Sequence, residues 1–322
     1  MASCSFPAIS QYPASSQPLA AGQTLVTADP NASPTPTPFQ PLSPTKVINP
    51  TSEPTSATTT SGLPILPKPA GQINILVLGS DWRPNGGYRT DVILLFGLNT
   101  KKKTVSVISF PRDLWVDIPG YGPQRINVAQ AFGGFETMAD TLEQNFGVRP
   151  DRYIMTNFTG FKGIIDSLGG ITVEAAKNLT DHCDLPQAVN TYCSVGPGSV
   201  TMDGAEALWY VRSRYSTDDF DRTRRAQEVM QGVFRKIISL DGLSRVPELY
   251  QAYQSSVETD LTLADITSLI PLATALGDGS SVSRYTIDRT LVTPWITNEG
   301  ADVQIPNTEA IWEIIKKAFF DQ

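Results

Sequence analysis

The chain has a single histidine, His182, among its 322 residues. Ser–His–Asp and Cys–His nucleophiles need a histidine as their base, so both arrangements are excluded unless His182 takes part. A zinc site is poorly supported for the same reason, because the one histidine is adjacent to Cys183. Other residue types must therefore carry any chemistry.

Cysteine is also scarce, with three in the chain. Cys183 and Cys193 are ten positions apart in a loop-like stretch, which predicts a disulfide and an oxidising compartment. The third, Cys4, ends the sequence MASC, which has the form of a lipoprotein cleavage box without its hydrophobic part. A lipidated cysteine and an ordinary cysteine in a disordered tail are equally compatible with this pattern.

No run approaches the roughly 20 apolar residues of a membrane-spanning helix, so we expect the chain as written to be soluble. Residues 1–70 are rich in Pro, Ser, Thr and Ala, and cannot bury enough apolar surface to offset their ordering entropy. We expect a disordered, extended linker there, and a folded part at residues 71–322.

Positive charge is scarce overall, with 25 Lys+Arg against 32 Asp+Glu, yet five arginines fall between Arg212 and Arg225. Guanidinium groups repel one another unless anions lie among them. A phosphate is the expected anion. The alternative is pairing with neighbouring carboxylates of the chain, namely Asp218, Asp219 and Asp221.

The arginines also have predicted directions. If VRSRY is extended, Arg212 and Arg214 point to the same side. If FDRTRRAQEVMQGVFRKII is a helix, Arg222 continues its apolar stripe, Arg225 lies at the edge of the stripe, and Arg224 faces the opposite way. Arg222 is therefore expected to point into a site, and Arg224 is expected to be dispensable.

Strand and helix patterns alternate from residue 71 onward. INILVLG, the pair DVILLFGLN and TVSVISF, YIMTNF and ITVEA are typical of strands, and the pair is expected to form a hairpin. Helices are expected in the segment that ends at Gly147, in FTGFKGIIDSLGG, and near 262–276 and 308–320. The sequence predicts one α/β domain with a central mixed sheet covered by helices.

Candidate metal ligands lie beside the first two strands. Asp81 ends LVLGSD, and Asp91 follows Arg89 after a glycine-containing loop. Two carboxylates of this kind can hold Mg²⁺, with waters and phosphate oxygens completing the octahedron. Arg112 follows the third strand, and Arg125 precedes a helix start, a favourable setting for anions.

The order of these motifs resembles the LytR-CpsA-Psr (LCP) family. The resemblance rests on LVLGSD, RTD, VSVISFPRD, IPGYGPQRIN, FTGFKGIIDSLGGITVE, MDGAEALWYVRSR and DDFDRTRRAQ, over residues 73–238. It implies an LCP-like domain and extends to the helical part at 239–322. It also implies an extracytoplasmic, Mg²⁺-dependent transferase of the bacterial envelope, anchored to the membrane in its full-length form. Such an enzyme moves an anionic glycopolymer from an undecaprenyl-pyrophosphate carrier to peptidoglycan and forms a phosphodiester bond; a pyrophosphatase side activity is expected.

The resemblance implies roles for individual residues. Asp81 and Asp91 would bind Mg²⁺. The catalytic residues would be Asp91, Arg89, Arg112 and Arg222, and the pyrophosphate-binding residues Arg125, Arg212, Arg214 and Arg225. Two positions depart from the family pattern: Arg125 replaces the usual lysine, and Ala226 stands where many members have a phosphate-contacting glutamine. An apolar tunnel for the prenyl chain would draw on Phe132, Phe135, Phe158, Phe161, Ile164 and Ile165.

Two other functions use the same arginines. A non-catalytic binder of polyprenyl pyrophosphates or acidic wall glycans differs only in turnover, and Ala226 leaves this alternative open. A phosphate-backbone-binding regulatory protein is disfavoured by the net charge of −7 and by the missing recognition motif. Nucleic acid is therefore not an expected partner.

Overall fold

The structure, a computed structural model, describes residues 58–81, 88–213, 219–239, 250, 257–276 and 282–321. The linker through residue 57, with Cys4, lies outside these residues, as do Arg214 and Asp218. Residues 58–70 have the composition of the linker but contact the domain: the amide of Thr60 donates to the carbonyl of Gln144 at 2.6 Å, and the indole of Trp312 donates to the carbonyl of Pro64 at 3.0 Å.

The strands and helices of the described residues follow the predicted alternation. The strands are β1 (Gln72–Ser80), β2 (Thr90–Asn99), β3 (Thr104–Ser109), β4 (Trp115–Ile118), β5 (Gly122–Arg125), β6 (Arg152–Asn157), β7 (Ile171–Ala175), β8 (Leu179–His182), β9 (Tyr192–Val195), β10 (Gly198–Met202), β11 (Val257–Thr259), β12 (Ser283–Thr286), β13 (Val292–Ile296) and β14 (Asp302–Pro306). The helices are α1 (Ala129–Phe146), α2 (Phe158–Ser167), α3 (Gly204–Arg212), α4 (Asp219–Ser239), α5 (Leu263–Leu276) and α6 (Thr308–Phe319).

The central sheet has six strands in the order β11-β6-β1-β2-β3-β12. It is mixed, because β1 pairs in parallel with β6 and β3 with β12, whereas β2 is antiparallel to both of its neighbours. The predicted hairpin of β2 and β3 is confirmed. Both the mixed sheet and the α/β class predicted from the sequence are therefore confirmed.

Helices cover both faces of this sheet. Leu95 and Phe96 are neighbours on β2 and therefore point to opposite faces. Leu95 packs in the core cluster that contains Phe146 of α1 and Phe319 of α6, whereas Phe96 packs against a cluster that contains Leu272 of α5. The sheet is thus the middle layer of three, and its strand ends remain free to form a site.

A second core cluster holds α2, α3 and α4 around the two-stranded antiparallel sheet of β7 and β10. Gly232 of α4 sits so close to β7 that a Cβ would lie 2.7 Å from the carbonyl oxygen of Thr172. The close approach of α4 to this two-stranded sheet therefore requires glycine at position 232. The contact fixes the position of α4, which carries Arg222.

The loop cysteines lie at the loop end of a small hairpin. β8 and β9 pair antiparallel, and the Cys183–Cys193 disulfide links the chain just beyond β8 to β9, with Cα atoms 5.7 Å apart. The disulfide predicted from the sequence is confirmed. No helix among the described ranges is both long enough and apolar enough to cross a membrane.

Candidate active site

The site lies where four elements of the central sheet meet at one edge. Ser80 at the end of β1 pairs with Asn157 at the end of the parallel strand β6, and with Thr90 at the start of β2. Because β3 runs antiparallel to β2, its carboxyl end lies at the same edge. The loops that follow β1, β3 and β6 therefore converge, as they do at ligand sites of many open α/β sheets.

A cavity of about 210 Å³ opens at this edge. Its walls come from the strand ends and from α2, α3 and α4. Of the site residues predicted from the sequence, those that line the cavity are Asp81, Asp91, Arg112, Arg212 and Arg222. Residues from distant parts of the chain thus surround one small space with two carboxylates and three guanidinium groups.

The two carboxylates are each held by an arginine. Asp81 accepts from the amide of Arg89 at 2.6 Å and from its guanidinium at 3.3 Å. Asp91 accepts from Nη1 of Arg112 at 2.8 Å. The Arg89 side chain does not line the cavity and is more than half exposed, so it contacts the site through Asp81.

The carboxylate pair fits a magnesium site of the kind that uses few protein ligands. The described residues contain no group of three or more side chains that could hold a metal ion. Mg²⁺ commonly takes one or two carboxylates and completes its octahedron with waters and substrate phosphate oxygens. Asp81 and Asp91 supply such a pair beside arginines that can bind the phosphate.

A chain of ion pairs leads from the cavity to Arg125. Arg112 donates to Asp91 and, through Nε, to Oδ2 of Asp113 at 3.2 Å; Asp113 also forms an ion pair with Arg125, with Nε and Oδ1 3.4 Å apart. Arg125 donates further to the carbonyl of Asp302 and does not line the cavity. Its predicted contact with pyrophosphate is therefore not supported by its position, because neighbouring oxygens already hold its guanidinium.

Helix α4 presents Arg222 to the cavity, as the helix pattern predicts. Arg222 is 6 % exposed and lines the cavity one turn from Ala226, which also faces it. Gln227 points elsewhere and donates to the carbonyl of Tyr285 at 2.8 Å. The amide expected at this face by the family pattern is thus replaced by a methyl group.

Arg212 reaches the cavity from a helix end, not from a strand. The prediction that VRSRY is extended is wrong for residues 211–212, which close α3. The helix is favoured at its start by a capping box, in which Asp203 and Glu206 satisfy free amide groups. The Arg212 guanidinium lies 4.3 Å from the centre of the Phe158 ring. The predicted convergence of Arg214 falls outside the described residues.

Arg225 supports the site without facing it. Its side chain is fully buried, does not line the cavity, and donates to the carbonyls of Tyr210 and Ser213. Burial lowers the pKa of this guanidinium despite the nearby Asp221 carboxylate. The predicted pyrophosphate contact of Arg225 is therefore replaced by a positioning role, because Arg225 ties α4 to the end of α3 that carries Arg212.

Arg224 is not a decorative surface arginine. It pairs with Asp221 at 2.7 Å and with Glu228, whose other oxygen accepts from the Tyr210 hydroxyl at 2.6 Å. Burial opposes its charge, but the bonds to Asp221 and Glu228 outweigh burial and raise the pKa of Arg224. Both carboxylates lie on its own helix, so Arg224 is not the exposed arginine that the helical wheel predicts, while its expected small effect on pyrophosphate binding stays a prediction.

The apolar wall of the cavity overlaps only partly with the predicted tunnel. Phe158 and Phe161 line the cavity, whereas Phe132 and Phe135 pack against the core beneath α1, and Ile165 is fully buried in another cluster. The apolar liners that were not predicted from the sequence include Leu208, Val211, Val229 and Met230. The cavity thus combines a charged part with an apolar part.

Three polar residues that line the cavity, Ser80, Thr156 and Asn157, were also not predicted. Thr156 and Asn157 end β6 and line the cavity, and Asn157 caps α2 by accepting from the amide of Gly160 at 3.0 Å. An asparagine between a strand pattern and a helix pattern is a recognisable N-cap signal. That signal places the N-terminus of α2 at the cavity, which suits an anionic ligand.

The chain matches known proteins along most of its length. The model of the LytR_cpsA_psr family matches residues 43–319. The chain is 34% identical to "Regulatory protein MsrR" of Staphylococcus aureus (strain COL) over 194 residues, 59% of this chain and 57% of the relative. It is 30% identical over 214 residues to "Polyisoprenyl-teichoic acid--peptidoglycan teichoic acid transferase TagT" of Bacillus subtilis (strain 168), 65% of this chain and 66% of that relative.

A solved structure described as "TagT bound to LI-WTA" superposes with a TM-score of 0.62 at 26% sequence identity. The match covers 77% of this chain and 90% of that one. By contrast, the sequence match spans under three-fifths of the S. aureus relative, at 57% of its length.

Proposed function

We propose a function from the premise that this chain belongs to the LytR-CpsA-Psr family, whose model matches residues 43–319. The protein is a phosphotransferase that moves an anionic glycopolymer from an undecaprenyl-pyrophosphate carrier to peptidoglycan. A relative is named as a transferase of teichoic acid to peptidoglycan, which supports this class of reaction. The observation that carries the proposal is the cavity that Asp81, Asp91, Arg112, Arg212 and Arg222 line together with apolar side chains.

The two parts of the cavity suit the two parts of such a donor. A pyrophosphate carries several negative charges and needs fixed cations in a partly dry site, which Arg112, Arg212 and Arg222 supply. A prenyl chain needs apolar contact, and Phe161, Leu208 and other liners offer it. Neither a nucleic-acid backbone nor a free sugar phosphate explains both parts.

The reaction is an in-line displacement at phosphorus. The oxygen of an acceptor hydroxyl forms a bond to the phosphorus that carries the glycopolymer, and the phosphoanhydride bond to the prenyl phosphate breaks. Prenyl monophosphate leaves with the electron pair, and the polymer becomes attached through a phosphodiester. The arginines stabilise the charge that grows on the leaving phosphate.

The carboxylates have two tasks. Mg²⁺, held by Asp81 and Asp91, would neutralise pyrophosphate charge when bound. The hydroxyl's proton needs an acceptor at the site, and Asp91 is the candidate that we propose. Arg112 fixes the orientation of Asp91 through its 2.8 Å bond, so the carboxylate is positioned before any ligand arrives.

The location of the protein follows from the same proposal. The acceptor and the carrier meet outside the cytoplasm, and the Cys183–Cys193 disulfide is typical of an oxidising compartment. We propose that the folded domain lies on the outer side of the bacterial membrane, with the segment through residue 57 as a tether to a membrane anchor.

Ala226 favours a second candidate, a binder that captures the same donor without turnover. A methyl group lines the cavity where the family pattern supplies an amide, so one phosphate contact is missing. Product analysis separates the two functions. With a prenyl-pyrophosphate-linked glycan and soluble peptidoglycan fragments, the transferase releases prenyl monophosphate and attaches the glycan to the fragment. Binding of the donor without either product would contradict the transferase.

A further inference from the structure

A second cavity, which we call the hairpin groove, lies beside the first and shares Leu208 and Arg212 with it. It is larger, at about 570 Å³, and more open to solvent. The polar and aromatic side chains that matter for its chemistry are Lys162, Asp181, His182, Asp184, Trp209 and Arg212. Of the charged site residues predicted from the sequence, Arg212 lines this cavity as well as the first, so it borders both spaces.

One wall of the groove is the disulfide-linked β8–β9 hairpin. The Trp209 indole donates to the carbonyl of His182 at 2.9 Å, which fastens the hairpin to α3. The His182 ring stacks against Tyr192, with a 3.0 Å hydrogen bond between the ring nitrogen and the tyrosine hydroxyl. With the Cys183–Cys193 disulfide, these contacts hold the wall in one shape without a ligand.

The opposite wall is fixed by the packing of α3 on α2. The amide of Gly204 donates to Oδ1 of Asp166 at 2.7 Å, and a Cβ at Gly204 would collide with the backbone of Lys162. Lys162 is therefore held at the groove by a contact that only glycine permits. A preformed space with rigid walls is the usual form of a small-ligand site.

The charges of the groove suit a ligand rich in hydroxyl groups better than a polyanion. Lys162 and Arg212 are cationic, whereas Asp181 and Asp184 are carboxylates, so the two signs balance. Carboxylates accept hydrogen bonds from hydroxyls, and the ammonium group donates to them. Trp209 adds an amphipathic aromatic surface, which can contact the apolar face of a sugar ring. A glycopolymer with repeated phosphates would meet repulsion from Asp184.

We propose that the hairpin groove binds the acceptor of the transfer, a hexopyranose residue of a peptidoglycan glycan strand. This inference rests on the proposed function, because it takes the first cavity as the donor's site. Since Arg212 borders both spaces, a sugar in the groove presents its hydroxyl to the phosphorus held on the other side of Arg212. The acceptor then enters through the groove and the donor through the apolar cavity.

The test measures binding, so it does not depend on turnover. Soluble peptidoglycan fragments are titrated into the folded protein, and a prenyl-pyrophosphate analogue is titrated separately. Lys162→Ala and Asp184→Ala are expected to weaken fragment binding about tenfold each and to leave the affinity for the analogue unchanged. The matched control is Lys102→Ala in the β2–β3 turn, an exposed lysine distant from both cavities along the chain, which should change neither affinity.

A second arm tests the wall itself. The double variant Cys183→Ser, Cys193→Ser removes the disulfide and should weaken fragment binding while the analogue still binds. Unchanged fragment binding in both Lys162→Ala and Asp184→Ala overturns the proposal. Weakened binding of the prenyl-pyrophosphate analogue by these two variants also overturns it, because the groove would then hold the donor. If fragment binding depends on Lys162 but the protein forms no transfer product, the groove still binds the fragment and the proposed catalysis is rejected.

Discussion

Arg112 donates through Nη1 to Oδ1 of Asp91 at 2.8 Å, and its Nε donates to Asp113 at 3.2 Å. One guanidinium therefore joins a carboxylate that lines the cavity to one that does not. Charge-assisted bonds of this kind restrict both partners. The site is thus held in position by its own ion pairs, and a donor pyrophosphate would add to an ordered arrangement.

The first prediction compares the metal-binding roles of Asp91 and Asp113, the two carboxylates that pair with Arg112. Asp91→Asn and Asp81→Asn should abolish the magnesium-stimulated release of phosphate from a prenyl-pyrophosphate substrate, because each removes a charged metal ligand. Asp113→Asn is the matched control: it perturbs the same arginine but lies outside the cavity lining, so magnesium stimulation should persist. Rates are measured across a magnesium titration, with circular dichroism to verify folding. Persistent magnesium stimulation in Asp91→Asn would sink the metal assignment.

The second prediction concerns the arginines that line the cavity. Arg222→Ala and Arg212→Ala should each weaken binding of a prenyl-pyrophosphate analogue by about 1.5–3 kcal/mol, as for hydrogen bonds to charged groups. Arg125→Ala should cost much less, because its guanidinium is bonded to Asp113 and Asp302 outside the cavity. Calorimetric titration at fixed salt measures this, with Arg149→Ala, whose guanidinium pairs with Glu136, Asp140 and Glu143 and does not line the cavity, as the control. Equal losses at all four positions would indicate a diffuse basic surface in place of a shaped site.

The third prediction concerns stability. Arg225→Ala leaves two backbone carbonyls and the Asp221 carboxylate without their buried partner, so the free energy of unfolding should fall by about 3–5 kcal/mol. Arg224→Ala should cost about 1–3 kcal/mol, because the Arg224 side chain is 24 % exposed whereas that of Arg225 is fully buried. Urea unfolding gives both values. If Arg225→Ala lowered the free energy of unfolding by less than Arg224→Ala does, the positioning role of Arg225 would be contradicted.

The fourth prediction concerns pH. Burial opposes the charge of Asp221, but its bonds to Arg224, with further attraction from Arg225, hold its pKa below the ordinary aspartate value. A carboxyl with a lowered folded-state pKa stabilises the protein fully above its unfolded pKa of about 3.9, and this stabilisation is lost as the pH falls through the folded value. The free-energy difference between the natural protein and Asp221→Asn should therefore shrink below about pH 4. A difference that stays constant from pH 6 to pH 2.5 would refute this assignment.

Much of the fold follows from local sequence patterns. The β2–β3 hairpin, the end of α1 before Gly147 and the bounds of α2, α5 and α6 follow from periodicity and turn residues, which act over a few positions. The direction of the Arg222 side chain was predicted correctly for the same reason. Its direction depends on the 3.6-residue period of its own helix, and no distant residue needs to be known.

The errors have a common physical cause. Residues 211–212 close a helix because α3 is capped at its start and packed against α2, and local alternation of residues does not encode that packing. Arg225 was judged from its own helix, but it donates to the carbonyl of Tyr210 on α3. A helical wheel gives a direction, whereas tertiary packing decides what lies there.

The sequence by itself determined the main strands of the central sheet, most of the helices, the mixed α/β architecture, the disulfide pair and the set of arginines and aspartates from which the site is drawn. Only the tertiary structure decided which of them meet. Arg112, Arg212 and Arg222 line one cavity. Arg125 and Arg225 do not line it and instead donate to the backbone carbonyls of Asp302 and Ser213, respectively. The physical reason is that a charged side chain takes the nearest partner in space, and nearness in space depends on strand order and helix packing. The hairpin groove beside Arg212 could be found only once these were known.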